Sequence, residues 1–277
     1  MSGAPITAAM DHRTSVPPKL ALVTAGMGPT LALLHGGVGS WTHWSRNLEA
    51  LAKHFAVRAF DLPGFGASAS FPEQLSDQDY FSWVADALIS LGTPLGLVGF
   101  SFGGSVAAAV APMLGTRLIA LTLVAPGSFG RPINRELDVR SVRSRDGVAV
   151  DSREAARHNL REVMFANPET VDDVTVSLHL SNITLARFNS RRLSWQDRLE
   201  TDLARVKCPI QMIWGARDRM ATPSVNARVE RCRAMGKDIR FDLIPDAGHW
   251  VQYERPDRFN EALLGFLDAV VAGTHVA

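Results

Sequence analysis

Apolar and polar positions along the chain follow two regimes that take turns. Short runs that are apolar at nearly every position occur at LALV (20–23), TLALLH (30–35), AVRAFD (56–61), LGLVGF (95–100), LIALTLVAP (118–126), PIQMIWG (209–215) and IRFDLIP (239–245). Longer stretches with helical spacing fall at 43–53, 78–91, 102–113, 222–234 and 256–270. A strand is apolar on both faces when helices cover both sides of a parallel sheet. The alternation therefore predicts an α/β fold: a mostly parallel central sheet with helices on both faces, and functional residues gathered at the carboxyl ends of its strands.

The alternation breaks between Pro126 and Val206. This stretch is polar, rich in Arg and Asp, and reads as short helices at 134–140, 152–166, 168–186 and 194–204 with no convincing strand. An insertion of that size between two core strands predicts a helical cap, 127–205, on a core made of 1–126 and 206–277. No internal repeat or low-complexity run interrupts the pattern.

Composition narrows the partners. The 277 residues carry a formal net charge of +1, with 46% hydrophobic and 21% charged residues. That balance suits a soluble chain with a large core and gives no electrostatic case for nucleic acid or an anionic membrane. Two cysteines, Cys208 and Cys232, suggest neither a disulfide framework nor a zinc site. No basic start or sustained apolar segment marks a signal peptide or a membrane span. The expected partner is a small-molecule substrate in the cytoplasm, with no metal or organic cofactor. A homo-oligomer stays open.

Candidate chemistry begins at GFSFG (99–103), the one G-x-S-x-G in the chain. It lies between the strand-like LGLVGF and the helix-like SVAAAVAPML, the strand–turn–helix setting that a nucleophile elbow requires. Such a turn lifts Ser101 above the sheet, beside a helix N-terminus where negative charge is favoured. A serine hydroxyl needs a base. Of eight histidines, His249 in PDAGHWVQYERP stands out, in a turn between the last strand and the last helix. Its acid partner is Asp218 in WGARD, just beyond PIQMIWG; a buried carboxylate there fixes the imidazole tautomer. Asp246 and Asp61 compete for that role, and both read better as loop residues. The loop HGGVG (35–39) after TLALLH supplies backbone N–H groups at the same sheet edge, and Gly37 with Phe102 are the oxyanion candidates. His35 reads as the residue that holds this loop. Val38, Phe65, Phe100 and Trp250 are the candidate substrate-binding residues, with Met164 and Phe165 as further wall candidates from the cap.

The set LLHGG, DLPGFGAS, GFSFGG, WGARD and GHW, in this order across residues 20–270, resembles the α/β-hydrolase superfamily. The resemblance implies a Ser101–Asp218–His249 triad with a cap over it. HGG together with GHW, Gln252 and Glu254 looks like the meta-cleavage product hydrolases, which cleave a C–C bond in ring-opened dienoates. That group usually carries Asn before the nucleophile, where this chain has Phe100. Its cap supplies an arginine for the substrate carboxylate, a role open to Arg187, Arg191 or Arg192. Carboxylic ester hydrolysis and C–C cleavage both remain readings of the chain. Other uses of the fold are a ligand receptor, an acyltransferase or a cofactor-free haloperoxidase. Ser101 stands where haloalkane dehalogenases and epoxide hydrolases use aspartate.

Overall fold

All seven apolar runs become strands: β1 (Leu22–Ala25), β2 (Thr30–Leu34), β3 (Ala56–Phe60), β4 (Leu95–Phe100), β5 (Leu118–Val124), β6 (Ile210–Gly215) and β7 (Ile239–Ile244). The computed structural model describes residues 19–92, 94–133, 136–142 and 150–273. The strands form one sheet in the order β1-β3-β2-β4-β5-β6-β7. β1 runs antiparallel to β3, and every other pairing is parallel. Burial follows position in this order. All six residues of β4 and of β6 are buried, while the edge strands β1 and β7 keep partly exposed residues.

Among the described residues, seven α-helices of six residues or more accompany the sheet: α1 (Asp77–Ile89), α2 (Phe102–Leu114), α3 (Ser152–Asn159), α4 (Asp173–Leu185), α5 (Leu199–Ala204), α6 (Val225–Arg233) and α7 (Pro256–Val271). Their starts are written locally. Ser76 and Asp79 form a reciprocal capping box at α1, and Asp151 and Asp172 accept backbone N–H groups at the starts of α3 and α4. In α2, eleven of thirteen residues are buried. Its alanines and glycines let it lie close against the sheet. Gly103 is the tightest point, because a Cβ there would overlap the carbonyl oxygens of Leu34 and His35 at the end of β2.

The helical stretch predicted over 43–53 splits into two short turns, Trp41–Trp44 and Leu48–Leu51. Between β5 and β6 the elements are helical, with one isolated bridge joining Phe129 to Asp197. The helix predicted at 134–140 does not form over its described part, 136–140. There the Asn159 side chain bonds both the N–H and the C=O of Arg140, and His158 Nε2 meets Asp138 O at 2.8 Å. These outside partners replace the helical ladder. α3 continues into a π-type turn at Leu160–Met164, a one-residue excess that re-aims the chain. The segment is tied to the sheet's carboxyl edge by Arg187 N–H to Gly64 O at 2.8 Å and by Ser40 Oγ to Asn182 Oδ1 at 2.8 Å. Among the described residues no helix is long and apolar enough to cross a membrane.

Candidate active site

β4 ends at Phe100, and the next residue turns the chain directly into α2. Ser101 holds φ 51° and ψ −110°, a conformation that non-glycine residues rarely adopt. The turn is pinned by Ser101 N–H to Val124 O (2.8 Å) and by Gly127 N–H to Ser101 O (3.1 Å). Among the described residues, four other non-glycine residues have positive φ: Val38, Ala125, Ser128 and Asp246. Together with Ser101 they follow the carboxyl ends of β2, β4, β5 and β7. Such strain persists only where the surroundings over-determine it, and it clusters at functional sites.

His249 follows β7 and meets both expected partners. Its Nδ1 lies 2.8 Å from Asp218 Oδ2, and its Nε2 lies 2.9 Å from Ser101 Oγ. Since the carboxylate can only accept, Nδ1 carries the proton and Nε2 is left to take the serine hydroxyl's. Asp218 is buried, and its other oxygen accepts the Met220 N–H at 2.7 Å. Gly215, the last residue of β6, allows the approach, because a Cβ there would overlap the carbonyls of Ala247 and Gly248. The two competing aspartates are employed elsewhere. Asp61 accepts N–H groups of Trp41 and Ala67, and Asp246 is exposed, 3.7 Å from Arg217.

The loop after β2 is held by two histidines. Leu62 N–H donates to His35 Nε2 at 3.0 Å, so the proton sits on Nδ1, which donates to Gly36 O at 2.7 Å. Burial pushes the His35 imidazole down to about 4, against the opposing pull of the Gly36 carbonyl and Asp61. His43 accepts the Gly36 N–H at its Nδ1 (3.2 Å), and its backbone carbonyl accepts from Trp250 Nε1 (3.1 Å). It thus joins the loop after β2 to the loop of His249. Its ring also packs 4.7 Å from Trp250 and 5.5 Å from Phe100. Burial, with His35, His179 and His249 nearby, holds the His43 imidazole well below its usual range. Gly37 lies over the elbow: a Cβ on it would sit 3.8 Å from Phe102 Cβ. Among the described residues, no hydrogen bond engages the Gly37 or the Phe102 N–H.

A cavity of about 60 Å³ opens beside Ser101 and His249, with Pro126, Phe129, Trp195 and Arg228 among its walls. The four predicted substrate-binding side chains lie elsewhere. Val38 is exposed on its loop, while Phe65, Phe100 and Trp250 are buried. Phe65 packs on His35 and Phe102, Phe100 lies 5.2 Å from the His249 ring, and Trp250 stacks on Tyr253 at 4.0 Å. Phe165 is buried against Trp250 and Tyr253. Met164 contributes its carbonyl to Trp250 N–H at 2.9 Å.

The three arginines between β5 and β6 put forward for a substrate carboxylate are committed elsewhere. Arg187 donates to the carbonyls of Gly66 and Ser68, Arg191 lies over the Trp195 ring at 5.0 Å, and Arg192 pairs with Asp77. The arginine at the cavity is Arg228, on α6. Sequence reasoning passed over it and His43, and over the structural role of Glu254. The carboxylate of Glu254 accepts N–H groups from Gly248, Ala166 and Asn167, joining the π-type turn to the His249 loop. For His43 a signal existed: its flanking tryptophans in WTHW point to burial.

The profile of the alpha/beta hydrolase family matches residues 31–262. The chain is 31% identical over 250 residues to the dihydrolipoyllysine-residue acetyltransferase component of the acetoin cleaving system of Pseudomonas putida, covering 87% of this chain and 64% of that one. It is 28% identical to a 2-hydroxy-6-oxononadienedioate/2-hydroxy-6-oxononatrienedioate hydrolase of Paraburkholderia phymatum, covering 86% of each. A crystal structure assigned to an aryl esterase from Burkholderia cenocepacia superposes with a TM-score of 0.75 at 26% identity, over 91% of this chain and 95% of that one.

Proposed function

Because the chain belongs to the alpha/beta hydrolase family, we propose that it is a serine hydrolase that cleaves a small carboxylic ester through an acyl-enzyme. The observation that carries this reading is the unbroken relay from Asp218 through His249 to Ser101, with links of 2.8 and 2.9 Å, facing a cavity. In the reaction His249 Nε2 takes the Ser101 proton as Oγ attacks the carbonyl carbon. Asp218 stabilises the imidazolium. The N–H groups of Gly37 and Phe102 hold the oxyanion, and their lack of partners among the described residues supports that role. His249 then passes its proton to the leaving oxygen, and a water activated by the same imidazole releases the acid. The inserted segment 127–205 acts as the cap that bounds the substrate.

A second reading, hydrolysis of a C–C bond in a ring-opened dienoate, is favoured by the name of the Paraburkholderia relative. Phe100 argues for the ester, since a buried ring stands where the C–C enzymes usually place a polar Asn. The test has two parts. A fluorophosphonate probe should label Ser101, and Ser101→Ala should abolish labelling and reduce kcat by several orders of magnitude. Near-wild-type turnover by Ser101→Ala would sink the mechanism. A paired assay of 4-nitrophenyl esters against a 2-hydroxy-6-oxo-dienoate then chooses the bond. Fast dienoate cleavage with negligible ester turnover would replace the ester reading.

A further inference from the structure

We infer that His43 is a positioning residue of the reaction, the side chain that keeps the Gly37 N–H aimed at the oxygen of the attacked carbonyl. The inference rests on the serine-hydrolase reading and adds a residue to its machinery. The loop HGGVG cannot aim a donor by itself. Gly36, Gly37 and Gly39 carry no Cβ, so nothing in their own side chains fixes the direction of an N–H. The glycines are nevertheless required. A Cβ on Gly36 would lie 2.8 Å from the Phe100 ring, and one on Gly39 would overlap the His43 ring. A donor displaced by about 1 Å loses much of its effect on the rate, so the aim has to be imposed from outside the loop.

Two imidazoles hold two successive peptide planes. The plane that carries the Gly37 N–H also carries the Gly36 carbonyl, which accepts from His35 Nδ1 at 2.7 Å. A trans peptide points its C=O and N–H in opposite directions, so this bond sends the Gly37 N–H away from His35. Alone, it leaves the plane free to pivot about the bond. The plane before it carries the Gly36 N–H, which donates to His43 Nδ1 at 3.2 Å. The φ and ψ of Gly36 are the two torsions between these planes, and holding both planes fixes them.

His43 is in turn fixed to the parts with which the donor must align. Its ring lies 5.5 Å from Phe100, the residue before Ser101, and 4.7 Å from Trp250, the residue after His249. Its carbonyl accepts from Trp250 Nε1 at 3.1 Å. The turn Trp41–Trp44 that carries it is tied down by Trp41 N–H to Asp61 Oδ1 and by Ser40 Oγ to Asn182 Oδ1, both at 2.8 Å. One side chain thus touches the oxyanion loop, the strand end that presents the nucleophile and the loop of the base. A hydrocarbon ring in its place would fill the space and leave the buried Gly36 N–H without an acceptor, which costs enough to turn the loop toward another.

An ester and a thionoester of one shape read the aim of the donor. 4-Nitrophenyl acetate develops its negative charge on oxygen, and O-(4-nitrophenyl) thioacetate develops it on sulfur, a larger and weaker acceptor. A well-aimed N–H favours the ester, so the ratio of the two kcat/KM values follows the aim. His43→Phe keeps a ring against Phe100 and Trp250 and removes the acceptor. It should lower kcat for the ester at least about tenfold with KM little changed, and narrow the ester-to-thionoester ratio at least about threefold. His43→Gln, whose amide oxygen still accepts the Gly36 N–H, should recover most of both. A merely structural His43 lowers the two substrates alike. An unchanged ratio in His43→Phe therefore overturns the inference, as does a His43→Gln no better than His43→Phe. If His43→Phe does not fold, Trp250→Phe decides. It frees the His43 carbonyl while keeping a ring beside it, so it should narrow the ratio in the same direction, and an unchanged ratio overturns the inference. Ser101→Ala separates this role from the catalytic reading. Ester turnover that survives Ser101→Ala removes both. Turnover lost in Ser101→Ala, with the ratio untouched in His43→Phe, removes the positioning role and keeps the triad.

Discussion

Acidification should destabilise this fold well before its carboxylates protonate, because buried histidines must stay neutral for it to form. His35 is wholly buried, and its imidazole is pushed down to about 4. His43 is likewise buried and lies well below its usual 6.5, with His35, His179 and His249 as the titratable groups around it. Both rings accept a backbone N–H in the folded chain, from Leu62 and Gly36, and protonation would set donor against donor. In the unfolded chain both titrate near 6.5. Between those values the unfolded state binds more protons, so stability is full above about pH 6.5 and is lost as pH falls toward 4. A depressed value of about 4 at His35 corresponds to a loss of about 2 kcal/mol at pH 5, and His43 adds a loss in the same direction. His179 is also pushed down by burial to about 4, but it keeps part of its surface in solvent and its share is discounted.

For a chain of 277 residues the loss of about 2 kcal/mol at His35 alone lowers Tm by about 4 °C, taking roughly 2 cal/mol/K of unfolding entropy per residue. Thermal unfolding at pH 8, 7, 6 and 5 and constant ionic strength reads it directly. Glu162, Asp172 and Asp173 are lowered by hydrogen bonds to Arg219, Thr175 and Arg157, so their losses begin below this window. The informative variant is His43→Gln, whose amide oxygen can still accept the Gly36 N–H and does not titrate. Its decline from pH 8 to pH 5 should be smaller than that of the wild type, whatever its stability at pH 8. A flat Tm from pH 8 to 5, or a decline that His43→Gln leaves untouched, would refute the reasoning.

Three further outcomes follow from contacts already described. Asp218→Asn keeps the shape of the relay but removes the acceptor that fixes the His249 tautomer, so kcat for an activated ester should fall by roughly 10³–10⁴ with KM little changed. Gly103→Ala places a Cβ against the backbone of Leu34 and His35, which cannot swing aside as a side chain can. Urea unfolding should show a loss of about 1–3 kcal/mol, and an unchanged midpoint would contradict the packing described at the elbow. Glu254→Gln replaces a carboxylate that accepts N–H groups from three residues by an amide with one acceptor oxygen. Chemical denaturation should show a loss of about 1–3 kcal/mol, together with slower turnover as the His249 loop loosens.

The sheet was readable because burial on both faces leaves each central strand apolar at every position, so its limits in the sequence are its limits in space. The meeting of Ser101, Asp218 and His249 was readable for a related reason: each follows a strand, and parallel strands bring their carboxyl ends together. Between β5 and β6 no such rule acts. The local pattern over 134–140 is helical, yet Asn159 and His158 capture the backbone of Arg140 and Asp138 from outside. Partners nineteen or twenty positions away leave no periodic trace in the sequence.

The arginines carry the same lesson into function. Arg187, Arg191 and Arg192 stand in the inserted segment, where a substrate arginine is expected, and each is spent on a nearby carbonyl, ring or carboxylate. Arg228 sits in a core helix whose sequence, VNARVERCR, looks like an ordinary solvated face. What separates it from Arg231 and Arg233 is which way α6 faces. Arg231 and Arg233 pair with acidic residues, whereas Arg228 turns inward, bonds Pro126 at the end of β5 and reaches the cavity of the nucleophile. Ala125 and Ser128, both at positive φ, flank that carbonyl, so strain in the loop after β5 and the buried cation belong to one arrangement. A loop bent to offer its carbonyl to an arginine thus lies beside a serine bent to offer its hydroxyl, on the adjacent strand ends of β5 and β4. Their separation is then set by the spacing of β4 and β5 rather than by the segment between β5 and β6.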